Sequence, residues 1–300
     1  MDPLQLDAFL AIAETGSFSG AATRLHLTQP AVSKRIALLE SHLDSKLFDR
    51  LGKRVALTPA GQGLLPHARR ILQTVADAER AIGALGGDVA GRLSIATSHH
   101  IGLHRLPPVL SEYSQRYPAV QLDLHFLDSE KALEAIANGE FDVGVVTLGE
   151  RMTKPLVYTP VWRDHLHFVA AAEHSLGQRD KLSLADLTTF QAILPDAATH
   201  TTQLVLALFE QAQQPLEISM ATNHLDTIRM MVSIGLGWGV LPDSLIDASL
   251  VKLPLQHAPL ERQLGAVYHA ERSQSNAAQQ FIGQLETLAR QADHSATENT

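Results

Sequence analysis

Two groups of side chains in this 300-residue sequence have types and spacings that can do chemistry. The first is Gln29, Pro30, Ser33 and Lys34, with Arg35 beside them and the cations Arg50, Lys53 and Arg54 further on. At ~100° per residue, positions 29, 30, 33 and 34 share one side of a helix. Amide, hydroxyl and ammonium groups on such a side hydrogen-bond base edges and phosphates. The second group is Thr97-Ser98-His99-His100, Thr147, Thr199-His200-Thr201-Thr202 and Asn223. Hydroxyls, imidazoles and an amide placed after strands or at helix starts suit a small anion. Taken singly, serines and threonines there are as often plain helix caps. Both readings stand at this point.

Other chemistries find little support. His99, His100 and His104 have no cysteine or acid at metal-ligand spacing, so no metal site is expected. The chain has no G-x-S-x-G elbow, no G-x-G-x-x-G after a strand and no phosphate-binding G-x-x-x-x-G-K-[ST] loop. Gly235, Gly237 and Gly239 precede a strand and read as a tight turn. No catalytic residue and no cofactor are therefore expected. With no cysteine, disulfide and thiol chemistry are excluded. No stretch approaches the ~20 apolar residues of a membrane span. The opening MDPLQLDAFLAIAET is polar-interrupted and does not read as a secretion signal, so a cytoplasmic address is expected.

Charge separates the two groups. Residues 1–87 carry ten basic and eight acidic side chains, +2, which leaves −10 for the rest of a chain whose total is −8. A cationic head on an acidic body suits a protein in which only the head touches phosphate. The elements that position the first group follow from periodicity. Leu4, Leu6, Phe9, Ile12 and Ala13 predict a helix over 3–14, ended by Thr15-Gly16. Ser17 caps a second helix to about Leu25, and Thr28 caps a third with Pro30 in its first turn. Val32, Ile36, Leu39 and Leu43 form the buried stripe of that third helix, opposite Pro30, Lys34, Ala37 and Ser41. Residues 47–57 then read as a hairpin around Leu51-Gly52, a wing with the three cations Arg50, Lys53 and Arg54. Arg50 has a structural alternative, a pair with Asp49 or Glu40.

The run FLAIAETGSFSGAATRLHLTQPAVSKRIALLE (Phe9–Glu40), followed by LFDR and LTPAG, resembles the LysR-type transcriptional regulators. The resemblance extends over the whole chain and is sharpest in residues 6–65. Leu51 departs from it, standing where the family carries a basic or polar residue before the wing tip. It implies a sequence-specific regulator that binds double-stranded promoter DNA as a homodimer or homotetramer, with RNA polymerase a possible further partner. It also implies a periplasmic-binding-protein-like effector domain. ATSHH is similar to the TTHT-like run of the cysteine-biosynthesis branch, with His100 in place of its last threonine. That departure argues against transferring a sulfate-type ligand.

The expected architecture is α/β: a winged helix-turn-helix at 1–58, a linker helix and hinge at 59–90, and a bilobed effector domain at 91–292. A polar tail at 293–300 is expected to be disordered. Leu64, Ala68, Ile71, Val75, Ala78, Ile82 and Leu85 keep a heptad seam, which predicts a coiled-coil dimer contact or, alternatively, packing on the chain's own core. In the body, strands alternate with helices, which predicts mostly parallel sheets in two lobes, 91–161 with 267–292 and 162–266. Crossings are expected near Pro160-Val161-Trp162 and over 264–269. An enzyme could share such a body but lacks the motifs named above, and a solute-binding protein fits the body but has no use for residues 1–91.

Overall fold

The computed structural model describes residues 1–51, 54–84, 89–149, 154–256 and 259–297, with side chains left out at 50, 51, 54, 73, 76, 77, 79–84 and 292–297. The chain divides into two compact units, Met1–Gly86 with Asn138–Glu140, and Gly87–Ala137 with Phe141–Thr300.

In the first unit, α1 (Pro3–Thr15) begins at an Asp2–Gln5 capping box and stops at Gly16, whose φ of 65° suits a residue without Cβ. Ser17 caps α2 (Phe18–Arg24) and Thr28 caps α3 (Gln29–Leu43). Leu6, Phe9 and Ile12 of α1, Ala21 and Ala22 of α2, and Val32, Ile36 and Leu39 of α3 make one core. Leu4, expected in that core, is 54% exposed, because it lies on the opposite side of α1 from Leu6 and Phe9. Strands β1 (Phe48–Leu51) and β2 (Arg54–Leu57) pair antiparallel, with Phe48 opposite Leu57. The hairpin tip, Gly52 and Lys53, lies outside the described residues.

Thr58 then starts α4 (Pro59–Ala84): its Oγ1 accepts the Gly61 N–H at 3.0 Å and donates to the Lys46 carbonyl at 2.6 Å. The heptad seam divides along this helix. Ala68 is buried in the head's own core, and Leu64 and Ile71 pack against it. Val75 and Ala78 are exposed. The side chain of Ile82 and the whole of Leu85 lie outside the described residues. The first turns of the seam are thus used within the chain.

The second unit contains a nine-stranded sheet ordered β4-β3-β5-β11-β6-β9-β7-β8, with β10 beside β6. The first lobe holds β3 (Gly91–Thr97), α5 (His99–His104), α6 (Leu106–Arg116), β4 (Val120–Phe126), α7 (Ser129–Ala137) and β5 (Val143–Leu148). Long strand β6 (Leu156–Ala171) leads to α8 (Leu184–Leu187), β7 (Ala192–Leu194), α9 (His200–Gln211), β8 (Ile218–Ala221), α10 (Leu225–Ser233), β9 (Trp238–Pro242) and β10 (Leu250–Lys252). Strand β11 (Leu260–His269) returns to the first lobe, and α11 (Asn276–Thr297) packs there through Phe281, Ile282 and Leu285.

Within each lobe the expected parallel pairs are present: β3 with β4 and β5, and β7 with β8 and β9. The two lobes are, however, joined into one sheet, because β6 and β11 run antiparallel from one lobe into the other. Their register shifts between Leu264 and Gly265, opposite Pro160–Trp162, where the crossings were placed. A Cβ at Gly265 would run into the Thr159 carbonyl, so only glycine lets the strands approach there. Separate cores flank the junction, one around Tyr113 and Phe281 and one around Phe168, Phe209 and Trp238. The expected disordered tail is corrected over residues 293–297, and residues 298–300 lie outside the described residues. Helix α11 continues its 22 residues to Thr297, since residues from Asp293 extend a helix already anchored by its apolar face.

Candidate nucleic-acid face and effector cleft

Burying Val32, Ile36 and Leu39 turns the other side of α3 outward. Gln29, Pro30 and Lys34 are exposed, and Ser33 is half-buried at their edge. Among the described residues the Gln29, Ser33 and Lys34 side chains make no hydrogen bond or ion pair. Arg35 lies to one side: it is half-buried, and its Nη1 is 3.5 Å from the Leu4 carbonyl of α1. Glu40 pairs with Lys46 at 2.7 Å and accepts the Leu47 N–H at 2.9 Å, fixing the approach to the wing. The structural alternative for Arg50, a pair with Asp49 or Glu40, falls on a side chain outside the described residues. The side chains of Arg50 and Arg54 lie outside the described residues.

The second group gathers only in part. A cavity of about 50 Å³ between the lobes is lined by Ser98, His100, Thr147, Thr199, Thr201 and Asn223 from the expected set. The first two stand at the start of α5, Thr147 is the last residue but one of β5, Thr199 caps α9, and Asn223 precedes α10. Three expected residues are placed elsewhere. Thr97 is buried inside β3 and donates to the Val145 carbonyl at 2.8 Å, because the strand runs one residue further than Ala96. Thr202 is buried on the core side of α9 and donates to the Pro195 carbonyl at 2.9 Å. His99 stacks on Phe126, with centroids 4.9 Å apart, and meets His224 edge-on at 4.5 Å.

Behind the cavity lies a charged cluster that the residue pattern did not signal. Asp164 of β6 is 1% exposed. Its Oδ1 accepts from Arg105 Nη2 at 2.6 Å, and its Oδ2 accepts from Arg262 Nη2 and Nε at 2.9 and 3.2 Å. Arg262 Nη1 also donates to Thr201 Oγ1 at 2.9 Å, and Arg262 lines the cavity. Burial by itself pushes the Asp164 carboxyl up; His100, Arg262 and Arg105 outweigh it and hold it well below the usual carboxylate range. Burial pulls the Arg262 guanidinium down, while Asp164 and, more weakly, Glu130 hold it charged.

His100 is 4% exposed. Its Nε2 stands 3.5 Å from Asp164 Oδ2, a weak contact at the limit of hydrogen bonding, and among the described residues neither ring nitrogen makes a well-formed hydrogen bond. Burial first, then Arg262 and His104, depress its pKa below the ordinary histidine value against the pull of Asp164, so the ring is neutral at pH 7. A buried neutral imidazole without a well-formed hydrogen bond is costly unless something in the cavity supplies one. Among the described residues no group of acids and histidines is arranged to hold a metal ion.

Residues 4–62 match the bacterial regulatory helix-turn-helix model of the lysR family, and residues 86–290 match the LysR substrate binding domain. The chain belongs to the LysR family. A probable RuBisCO transcriptional regulator of Nostoc sp. is 31% identical over 291 residues, covering 94% of this chain and 86% of its own. The LysR-type regulator CbnR, in a full-length complex with its target DNA, superposes with a TM-score of 0.69 at 23% identity over 96% of this chain and all of its own. The Synechocystis PCC6803 CcmR regulatory domain, in complex with 2-PG, superposes with a TM-score of 0.59 at 21% identity, over 67% of this chain and 98% of its own. This LysR-type protein is thus a helix-turn-helix DNA-binding transcriptional regulator with a ligand-binding C-terminal domain. No helix among its described residues is long and apolar enough to cross a membrane.

Several cavity residues of this LysR-type chain escaped the sequence reading: Asp128, Ser129, Glu130, Leu225 and Arg262. Ser129-Glu130 opens α7 and could have been found as a helix start after strand β4. Arg262 sits in a strand of mixed polarity, and nothing local marks it as the partner of Asp164, 98 residues earlier.

Proposed function

We propose that this regulator reads its operator through Gln29, Pro30, Ser33 and Lys34, grips phosphate through the wing cations Arg50, Lys53 and Arg54, and answers a small anionic metabolite. The carrying observation is the cleft between the lobes. There the hydroxyls of Ser98, Thr147, Thr199 and Thr201, the Asn223 amide, the N-terminus of α9, Arg262 and the buried His100 converge on one cavity. Helix N-termini and guanidinium groups favour anions, and hydroxyls orient them. The CcmR regulatory domain binds 2-PG, an anionic metabolite, which supports the same class of effector here.

The closer likeness to cysteine-biosynthesis regulators, suggested by ATSHH, finds no support in the relative described, a RuBisCO-type regulator. Carboxylates and phosphate esters are the first ligands to test. The protein needs no cofactor in this reading and performs no reaction. It acts in the cytoplasm as a homodimer or homotetramer, using Val75, Ala78, Ile82 and Leu85 where the seam is not taken up by the head. RNA polymerase is its further partner at the promoter.

An effector that binds one arrangement of the lobes better by ~1–3 kcal/mol is enough to shift the DNA response. Two measurements check this. A mobility shift on the region upstream of the protein's own gene should appear at low salt and fade steeply as salt rises; its absence overturns the regulator. Ser98→Ala should abolish the response to metabolites found by thermal-shift screening, with DNA binding intact. A response unaltered in that variant refutes the cleft as the effector site.

A further inference from the structure

Glu130 is the second residue of α7 and belongs to the first lobe. Its Oε1 accepts the backbone N–H of His200, the first residue of α9 in the second lobe, at 3.0 Å. A carboxylate of one lobe thus sits on a helix N-terminus of the other. Helix α9 has twelve residues, and its first amides have no partner within the helix. Thr199 Oγ1 takes the Thr202 N–H, and Glu130 takes that of His200. The positive end of the helix and these N–H groups are what an anion seeks.

The same cavity holds the buried His100, whose two nitrogens make no well-formed hydrogen bond among the described residues, and the Arg262 guanidinium. Its volume of about 50 Å³ admits a few waters or one small polar group. Glu130 is itself exposed to solvent, so swinging its side chain away opens the cavity without disturbing a core.

We propose that Glu130 is a built-in occupant of the anion position, and that an anionic effector binds by displacing its carboxylate from the N-terminus of α9. This rests on the reading that the effector is an anion held in the cleft, and it adds how that site is regulated. In the unliganded protein, one hydrogen-bonded carboxylate ties α7 to α9. When the effector's carboxylate or phosphate takes that place, α7 is released and α9 is held by the ligand. Exchange of one anion for another lets a small ligand alter how the lobes are joined at little net cost. It also sets a threshold, because a ligand must outcompete a tethered carboxylate. Asp128, which lines the cavity and pairs with Lys131 at 3.2 Å, adds to that threshold.

The test is isothermal titration of the full-length protein with inorganic phosphate at constant ionic strength, in three forms. Glu130→Gln keeps the size of the side chain and removes its charge. Combining it with His200→Pro deletes the contested amide hydrogen. Proline is favoured at the first helical position, and Thr199, at φ −74° and ψ 145°, already has the conformation that precedes a proline. Phosphate held by the basic head is the same in all three and cancels.

Glu130→Gln should bind phosphate about fivefold tighter than the parent, the usual scale of a charge at a helix end, and the double variant should lose that gain. Equal affinity in parent and Glu130→Gln overturns the inference. So does a gain that survives His200→Pro. Weaker binding in Glu130→Gln overturns it too and makes the carboxylate a contact for a cationic group. The effector reading itself fails or stands separately, on the metabolite response of Ser98→Ala.

Discussion

The head and the cleft each present a cluster of polar side chains, but they hold them in opposite ways. On α3, Gln29 and Lys34 are exposed and Ser33 half-buried on a helix whose other side is buried, and among the described residues their side chains make no hydrogen bond or ion pair. In the cleft, Asp164, Arg262, Arg105 and Thr201 are already linked by hydrogen bonds, and His100 is buried among them. An exposed face binds a polyanion without rearranging the protein, and its affinity follows salt. A buried, internally paired site binds only by exchanging partners, which makes it selective and couples it to the shape of the domain.

The largest effect expected from this contrast is on stability. Asp164→Asn leaves the buried Arg262 guanidinium, and the half-buried Arg105 beside it, facing an amide and should cost about 3–5 kcal/mol in urea denaturation. A loss under about 1 kcal/mol would show that the cleft tolerates solvent as the head does. The reverse holds on α3. Lys34→Ala and Ser33→Ala should lower specific DNA affinity by about 1–3 kcal/mol, measured by anisotropy. The lysine variant should also reduce the salt slope by about one. Both should leave stability within about 0.5 kcal/mol; unchanged specific affinity would mean the recognition face is misassigned.

Thr199→Ala joins the two behaviours in one residue. It removes the cap of α9, costing about 1 kcal/mol, and should weaken the effector response as well. Loss of stability with a full response would make Thr199 a cap alone.

The smallest effect is on pH dependence. His100 has a depressed pKa in the folded protein, so it is neutral there while the unfolded chain takes up a proton near its ordinary 6.5. The unfolded state then binds more protons, and stability falls as pH drops below about 6.5. Replacing His100 with Gln should flatten thermal unfolding between about pH 6.5 and 5. Asp164, also depressed, acts lower: its contribution is whole above the ordinary carboxylate range and is lost on acidification through it. A drop unchanged in His100→Gln would assign it to other histidines.

How legible each region was follows from the range of the interactions that build it. Phe9, Ile12, Val32, Ile36 and Leu39 show the helical repeat, and Asp2, Ser17, Thr28 and Thr58 stand where caps are needed. Periodicity and capping are properties of a few neighbouring residues, so the head could be read in order along the chain. Parallel pairs inside each lobe were also legible, through apolar strands such as Val143–Leu148. Thr97 and Thr202 were misread because a hydroxyl near a strand end or helix start faces either cavity or core, and one residue of register decides which. The division of the heptad seam was likewise invisible, since a repeat states which side of α4 is apolar and says nothing of what covers it.

By itself, then, the amino-acid sequence determined the recognition helix, its capped entry, the wing and the two-lobed α/β plan, because short-range periodicity and turn chemistry specify them. Only the tertiary structure decided the chemistry of the cleft. Arg262 meets Asp164 across 98 residues and Glu130 meets His200 across 70, brought together by strands that cross between lobes. The strength of buried charges comes from the neighbours that exclude water and supply partners, and those neighbours are chosen by the fold.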